Sequence, residues 1–387
     1  MASKFRWLVF QAHWLLGITL GVVLALMGVT GATMAFEDQI MEALSPGVVH
    51  VAPRAEPVLA PDALLERFAA QKPEAKPTSL TLRGKPGASP QVTFQVKGAP
   101  RAQKLYLDPF SGQILGRATG EDFFATVRRF HRWMLLPGDG EGIGRQVTGA
   151  AAFSLIYFAI SGLYLRWPKR PLDWKVWLKP NLKLKKRGLY WSLHSVAGTW
   201  VFLIYLTIAM TGLTWSYDWY KAGFDKVLTG KVAAEAPAAK KPAEGAKAKK
   251  AKASGPMRLD PAWRAALAAA PGATQTIITL PKAAGDAVRV RLLPKDAANE
   301  RAWDELKITA AGVVKSDERY ADKPLGEKIS SARLSVHRGS FFGLPGAILF
   351  MLAALLMPLF PITGYLLYLG RRKAARTRAR KLAAAPA

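Results

Sequence analysis

Uncharged apolar runs of bilayer length constrain this chain more than any other feature. From Trp14 to Phe36, 23 consecutive residues carry no charge, and about 20 such residues in a helix cross a hydrocarbon core. The run is too long for the core of a cleaved leader, so it is read as an uncleaved first span. Similar runs occupy about 147–165, 191–217 and 339–370. In lipid a spanning segment pairs its own backbone amides, which leaves the helix as its form. Four transmembrane helices are expected.

Two of these runs open on one pattern. The sequence reads HWLLGITLGVVLALMGVTG from His13 and HSVAGTWVFLIYLTIAMTG from His194. In both, glycine follows the histidine by four residues (Gly17, Gly198) and a Thr-Gly pair by seventeen and eighteen (Thr30-Gly31, Thr211-Gly212). Arg6 and Arg187 precede the histidines by seven, so the repeat extends into the flanks. On a continuous helix His13 and Gly31 would share one face about 27 Å apart. Glycine removes the side chain where the edge of a flat cofactor must approach the backbone. Small residues also serve ordinary helix packing, which leaves the histidines unexplained.

The segments between the spans repeat as well. Helix 1 is expected to run from near Lys4 to the acidic pair Glu37-Asp38. Then come an amphipathic helix over 61–71 and alternating stretches SLTLR, QVTFQVK, KLYLD and QILG. These read as a small helix-plus-antiparallel-sheet module. The second outer segment has a helix over 259–270, then TQTIITL, AVRVRLL, WDELKIT and VVKSD. Each module precedes a histidine followed by arginine and, further on, Leu-Pro-Gly: FHRWMLLPG at His131 and SVHRGSFFGLPG at His337. The helices that follow end in small-residue pairs, Ser161-Gly162 and Thr363-Gly364. The fold class is thus an α-helical membrane protein whose four spans come from a duplicated helix, outer module, helix unit. The expected boundaries are span 1 over 1–36, module 1 over 37–120, an interfacial helix and turn over 121–146, and span 2 over 147–167. A basic loop over 168–187, span 3 over 188–217, module 2 over 218–335, span 4 over 336–370 and a basic tail over 371–387 complete the chain. An Ala/Lys-rich tract at 231–255 reads as a disordered tether. GDGEGIG at 138–144 reads as a turn and not a phosphate loop, since no strand precedes it. His50, in a Pro/Val linker, reads as an exposed bystander.

Charge and cysteine usage narrow the function. The net charge is +28, but much of it lies in the loop 166–187 and the tail from Arg371, where lysine and arginine mark the cytoplasmic side. Both termini are then cytoplasmic and both modules lie across the membrane. Little basic surface remains for a nucleic acid, whereas anionic lipid or an acidic donor protein suits such loops. With no cysteine, disulfides, thiolate-ligated iron–sulfur clusters and covalent c-type haem are excluded.

Topology sorts four histidines into two levels, His13 with His194 near the inner surface and His131 with His337 near the outer. Each level takes one histidine from each repeat, so each pair is expected to bracket one iron porphyrin, giving two bis-histidine haems b. A zinc or copper site would draw three or four ligands together, and a proton relay would use carboxylates, which the spans lack. Gly17, Gly198, Gly31 and Gly212 are expected to line the cofactors. Arg6 and Arg187 would meet inner-haem propionates, and Arg132 and Arg338 outer ones. Tyr157, Phe158, Trp200, Phe202 and Tyr205 are candidates to fill the space between haems or to pack. Iron with two histidine ligands has no open position, so outer-sphere electron transfer from the cytoplasmic to the outer side is expected, with no catalytic side chain.

In the His13 helix start, YLDPFSGQILG, FHRWMLLPG with ISGLYLRWP, WSLHSVAG with MTG, and VHRGSFFGLPG with TGYLL, the chain resembles the PepSY-associated transmembrane proteins. Members like the FoxB-type siderophore reductases are inner-membrane di-haem proteins that reduce ferric siderophores in the bacterial periplasm. The resemblance implies PepSY-like outer modules, a ferric siderophore as acceptor and release of ferrous iron; the electron donor stays open between a quinol and a cytoplasmic flavoprotein. It offers no role for 231–255. Two other readings stay open: a haem conduit to another periplasmic acceptor, and a non-redox, membrane-anchored PepSY protein that binds or restrains proteases.

Overall fold

The computed structural model describes residues 4–99, 101–231, 258–281 and 286–383. In chain order, α1 (Lys4–Thr19), α2 (Gly21–Thr33), α3 (Glu37–Ala43) and α4 (Pro61–Gln71) precede strands β1 (Ala75–Arg83), β2 (Gln91–Val96), β3 (Gln103–Leu107) and β4 (Ile114–Gly116). Then follow α5 (Glu121–Trp133), α6 (Ile143–Arg166), α7 (Trp174–Leu178), α8 (Arg187–Ser216), α9 (Asp218–Thr229) and α10 (Asp260–Ala269). Strands β5 (Gln275–Thr279), β6 (Val288–Leu293), β7 (Asp304–Ile308) and β8 (Val314–Glu318) lead to α11 (Leu325–Ser331), α12 (Arg333–Arg338), α13 (Gly343–Leu355) and α14 (Leu359–Ala383). The chain divides into two units: 1–35, 124–224 and 333–387 form one, and 36–123 and 225–332 the other. The tract at 231–255 lies outside the described residues, apart from Lys231.

The first unit is helical and apolar. Among the described residues, α6, α8 and the run 340–380 are long and apolar enough to cross a membrane, and α1 with α2 makes a fourth if the bent pair counts as one span. The expectation of one continuous first helix is corrected. The chain bends by 57° between α1 and α2, so His13 and Gly31 do not lie on one straight face. The break at Leu20 sits between Gly17 and Gly21, and the Thr19 hydroxyl turns back to the carbonyls of Leu15 (3.0 Å) and Leu16 (3.3 Å). Glycines and back-bonded threonines are ordinary causes of helix bending. The last span is also interrupted, between α13 and α14, where Pro358 and Pro361 withhold amide donors. There the Tyr205 hydroxyl donates to the Ala353 carbonyl at 2.8 Å. The core of this unit takes Leu24, Leu155, Val201, Ala209, Phe350 and Met357 from all four helical segments. At Gly28 an added Cβ would lie 2.6 Å from the Ala354 carbonyl oxygen, so α2 and α13 approach at backbone distance.

In the second unit the two expected helix-plus-sheet modules share a single sheet. All eight strands form one antiparallel sheet in the order β4-β3-β2-β1-β5-β6-β7-β8. The two four-strand meanders join through their first strands, with Leu80 opposite Ile278 and Ser79 opposite Thr279. Pairing β1 with β5 removes two free edges at once. Leu64 and Phe68 of α4 bury against Leu80, Val92, Phe94 and Leu107, while Ala262 and Ala266 of α10 bury against Ile278, Val290, Leu292, Leu306 and Ile308. Since Leu80 and Ile278 are partners in register, both helices cover the same sheet face. The helices cap each other: the Leu259 and Asp260 amides donate to the Asp62 carboxylate (2.7 and 3.1 Å), and the Asp62 amide donates to Asp260 (3.3 Å). His50, read as an exposed bystander, is partly exposed and has its Nε2 2.8 Å from Glu42 Oε1.

Candidate functional site

The four histidines of the helical unit meet as two pairs. His13 on α1 faces His194 on α8 with ring centres 6.4 Å apart and planes at 61°. His131 on α5 faces His337 on α12 at 6.5 Å and 77°. Each pair takes one ring from each repeat. After His131 the chain turns through Met134 and Leu135, both at positive φ (53° and 57°).

Every ring is seated in the same way by a hydroxyl residue followed by glycine. Nδ1 of His13 lies 2.7 Å from Ser161 Oγ, and Nδ1 of His194 lies 2.8 Å from Thr363 Oγ1. Nδ1 of His131 lies 3.1 Å from Thr30 Oγ1 and 2.9 Å from the Met27 carbonyl. Nδ1 of His337 lies 2.9 Å from Thr211 Oγ1. The neighbouring glycine lies beside ring atom Cε1 in all four: a Cβ on Gly162 would stand 3.6 Å from His13, on Gly364 3.9 Å from His194, on Gly31 3.2 Å from His131 and on Gly212 3.3 Å from His337.

These contacts fix the tautomer. Each seating hydroxyl donates its own proton one turn back, Ser161 to Tyr157 (2.5 Å), Thr30 to Leu26 (2.7 Å), Thr211 to Thr207 (2.6 Å) and Thr363 to Leu359 (2.6 Å). Its oxygen therefore accepts from the ring, so each Nδ1 carries the proton and each Nε2 presents a bare lone pair. Metal-bound histidines commonly have this outer-shell arrangement. His131 and His337, on α5 and α12 outside the candidate spans, are held neutral by burial, which lowers their pKa to about 4 and about 3.

The other expected residues separate. Gly31 and Gly212 lie beneath the outer rings instead of along an open strip. An added Cβ at Gly17 would meet nothing within 4 Å, and at Gly198 it would meet Phe360 at 3.6 Å. Phe158 stands edge-on to His13 (5.1 Å) and Phe360 to His194 (5.3 Å), a matched pair of which only the first was anticipated. Trp215 stands against His337 at 5.4 Å. Tyr157 donates to the Val9 carbonyl at 2.9 Å and exposed Trp200 to the Leu178 carbonyl at 3.1 Å, which are packing and anchoring roles. Phe202 is half-buried on α8. Arg6 donates to the Leu165 carbonyl at 2.7 Å. Arg132 lies over the Trp133 ring at 4.7 Å, Arg338 lies close enough to both outer imidazoles to disfavour their protonation, and Arg187 packs beside Gly370. Sequence reasoning missed Ser161, Thr30, Thr211 and Thr363 as ring partners. Their signal was a hydroxyl residue before glycine, repeated four times.

The paired geometry would fit a metal-bearing group held by one imidazole from each side. A metal–imidazole bond of about 2.0 Å and a ring centre about 1.1 Å behind the ligating nitrogen put two such centres about 6.2 Å apart. Among the described residues no three His, Asp or Glu side chains converge as a metal cluster.

Apolar helices of bilayer length around paired histidines, with an antiparallel sheet unit inserted in the chain, define an integral membrane protein. No curated protein matches the chain. Residues 10–371 match the PepSY-associated TM region, nearly the whole length, and the chain belongs to that family.

Proposed function

We propose that the protein is an inner-membrane oxidoreductase that holds two haems b and moves electrons from the cytoplasmic side to the periplasm, where ferric siderophores are reduced and ferrous iron is released. The observation that carries this reading is the repeated ring spacing, 6.4 and 6.5 Å, combined with four bare Nε2 atoms. His13 and His194 would hold the inner iron, and His131 and His337 the outer one. A haem with two imidazole ligands supplies one-electron exchange without an open coordination position.

The chain's own residues do the positioning. Ser161, Thr363, Thr30 and Thr211 fix the rings, and the glycine after each lets the ring lie against its helix. The basic loop 166–187 and the tail support a cytoplasmic side for the inner pair, and with it a periplasmic side for the sheet unit, by the positive-inside rule. The donor class is a quinol or a flavoprotein.

Pyridine haemochrome and iron assays on the purified full chain test the reading, with two haems b and two irons per polypeptide expected. His131→Ala or His337→Ala should leave one. Colourless protein, or unchanged haem content in both variants, would overturn it. If the haems are present, reoxidation of the reduced protein by ferric siderophores, compared with other acceptors, decides between siderophore reduction and a general conduit.

A further inference from the structure

The basic end of the helical unit contains a cavity of about 750 Å³ between the start of α8 and the distal half of α14. Lys186, Arg187, Lys373 and Arg378 line it, together with Tyr190 and Leu366. Four cations in one cavity repel one another, and no carboxylate is at hand to relieve them: the sequence has no Asp or Glu in 1–36 or beyond Glu327, and the loop 166–187 has only Asp173. Asp173 is occupied in capping α7, where it accepts from the Lys175 amide at 3.0 Å. The backbone at the rim is strained, with Lys186 at φ +49°, a conformation that side-chain-bearing residues rarely adopt. α8 starts there without a side-chain cap, so its first amides add to the positive field.

We propose that this cavity binds the phosphate headgroup of an anionic membrane lipid. The apolar surroundings favour a lipid over a free phosphate. Leu366 forms part of the wall, and from it the exposed flank of α14, with Ile362 (57 % exposed), Tyr365 (53 %) and Leu369 (43 %), runs along the bilayer-length segment. Acyl chains can lie on that flank while the headgroup meets the lysines and arginines, whose aliphatic stems reach from helix to interface. The inference rests on the membrane reading, and Arg187, also expected beside an inner-haem propionate, is left unchanged in the variants that test it.

Native mass spectrometry of the full chain from mixed micelles of phosphatidylglycerol and phosphatidylcholine tests it. The unmodified chain should retain phosphatidylglycerol in preference by about tenfold or more, since several basic residues meet the anionic headgroup together. The triple variant Lys186→Gln/Lys373→Gln/Arg378→Gln should lose the preference. The charge-matched triple Lys183→Gln/Lys185→Gln/Arg380→Gln, at positions that do not line the cavity, should keep it. Equal retention of both lipids, a preference untouched by the first triple, or one lost equally in both triples would overturn the proposal. Displacement of the bound lipid by millimolar inorganic phosphate would assign the cavity to free phosphate instead. Loss of iron from the first triple with the lipid preference intact would assign it to the cofactor.

Discussion

At the residue scale, the imidazole orientation rests on four side-chain hydroxyls whose protons are already committed to their own helices. A hydrogen bond of this kind contributes about 0.5–1.5 kcal/mol, and donation from Nδ1 raises the basicity of Nε2 as a ligand. If the proposed haems are bound, Thr363→Val and Thr211→Val should therefore raise the midpoint potential of the inner and outer centre respectively, by roughly 20–60 mV, the one-electron equivalent of that energy. Spectroelectrochemical titration of each variant checks this, and two unmoved potentials would show that the hydroxyls do not act through the ligands. The glycines give a graded companion test. An added Cβ meets His131 at 3.2 Å from Gly31 but His194 only at 3.9 Å from Gly364. Gly31→Ala should reduce outer-site occupancy or alter its low-spin EPR signal, and Gly364→Ala should do neither.

At the element scale, both units have helices whose ends depend on partners far away in sequence. The reciprocal caps between α4 and α10 use Asp62 and Asp260, one from each repeat, so losing the Asp62 carboxylate unpairs the Leu259 and Asp260 amides of α10, and losing that of Asp260 unpairs the Asp62 amide of α4. Asp62→Ala should cost about 1–2 kcal/mol, the usual loss of an N-cap, read as lower thermal stability of the full chain with haem content unchanged. In the helical unit Gly28 marks a backbone-distance approach of α2 to α13. Gly28→Leu should force α2 from α13 and cost about 1–3 kcal/mol or more, as overpacking does. Arg166 ties α6, α7 and α8 together by donating to the Ser195 and Val176 carbonyls and to the Thr199 hydroxyl, while stacking on Trp177 at 5.4 Å. That arginine has no counterpart in the second repeat, where Tyr368 stands in its place.

At the scale of the whole molecule, duplication leads to two different outcomes. In the helical unit each copy supplies half of two sites; in the sheet unit each copy supplies half of one sheet. The positive-inside reading predicts which side each part faces, and a cysteine-free chain makes the test direct. Glu318→Cys should react with an impermeant maleimide on intact spheroplasts, and Lys183→Cys only after permeabilisation. The reverse pattern would invert the proposed direction of electron flow. The sequence alone determined the apolar helical segments, the strand-bearing modules, the duplication and the four histidines, because hydropathy, alternation and recurring motifs are local properties of the chain. Only the tertiary structure decided that helix 1 bends at Leu20, that the modules share a sheet, and that Ser161, Thr30, Thr211 and Thr363 orient the rings. Each of those depends on partners many residues away: Pro361 against Gly21, β5 against β1, and a hydroxyl more than 100 residues from its histidine. Spacing within one segment cannot encode such meetings; they are settled by which surfaces pack together once the chain has folded.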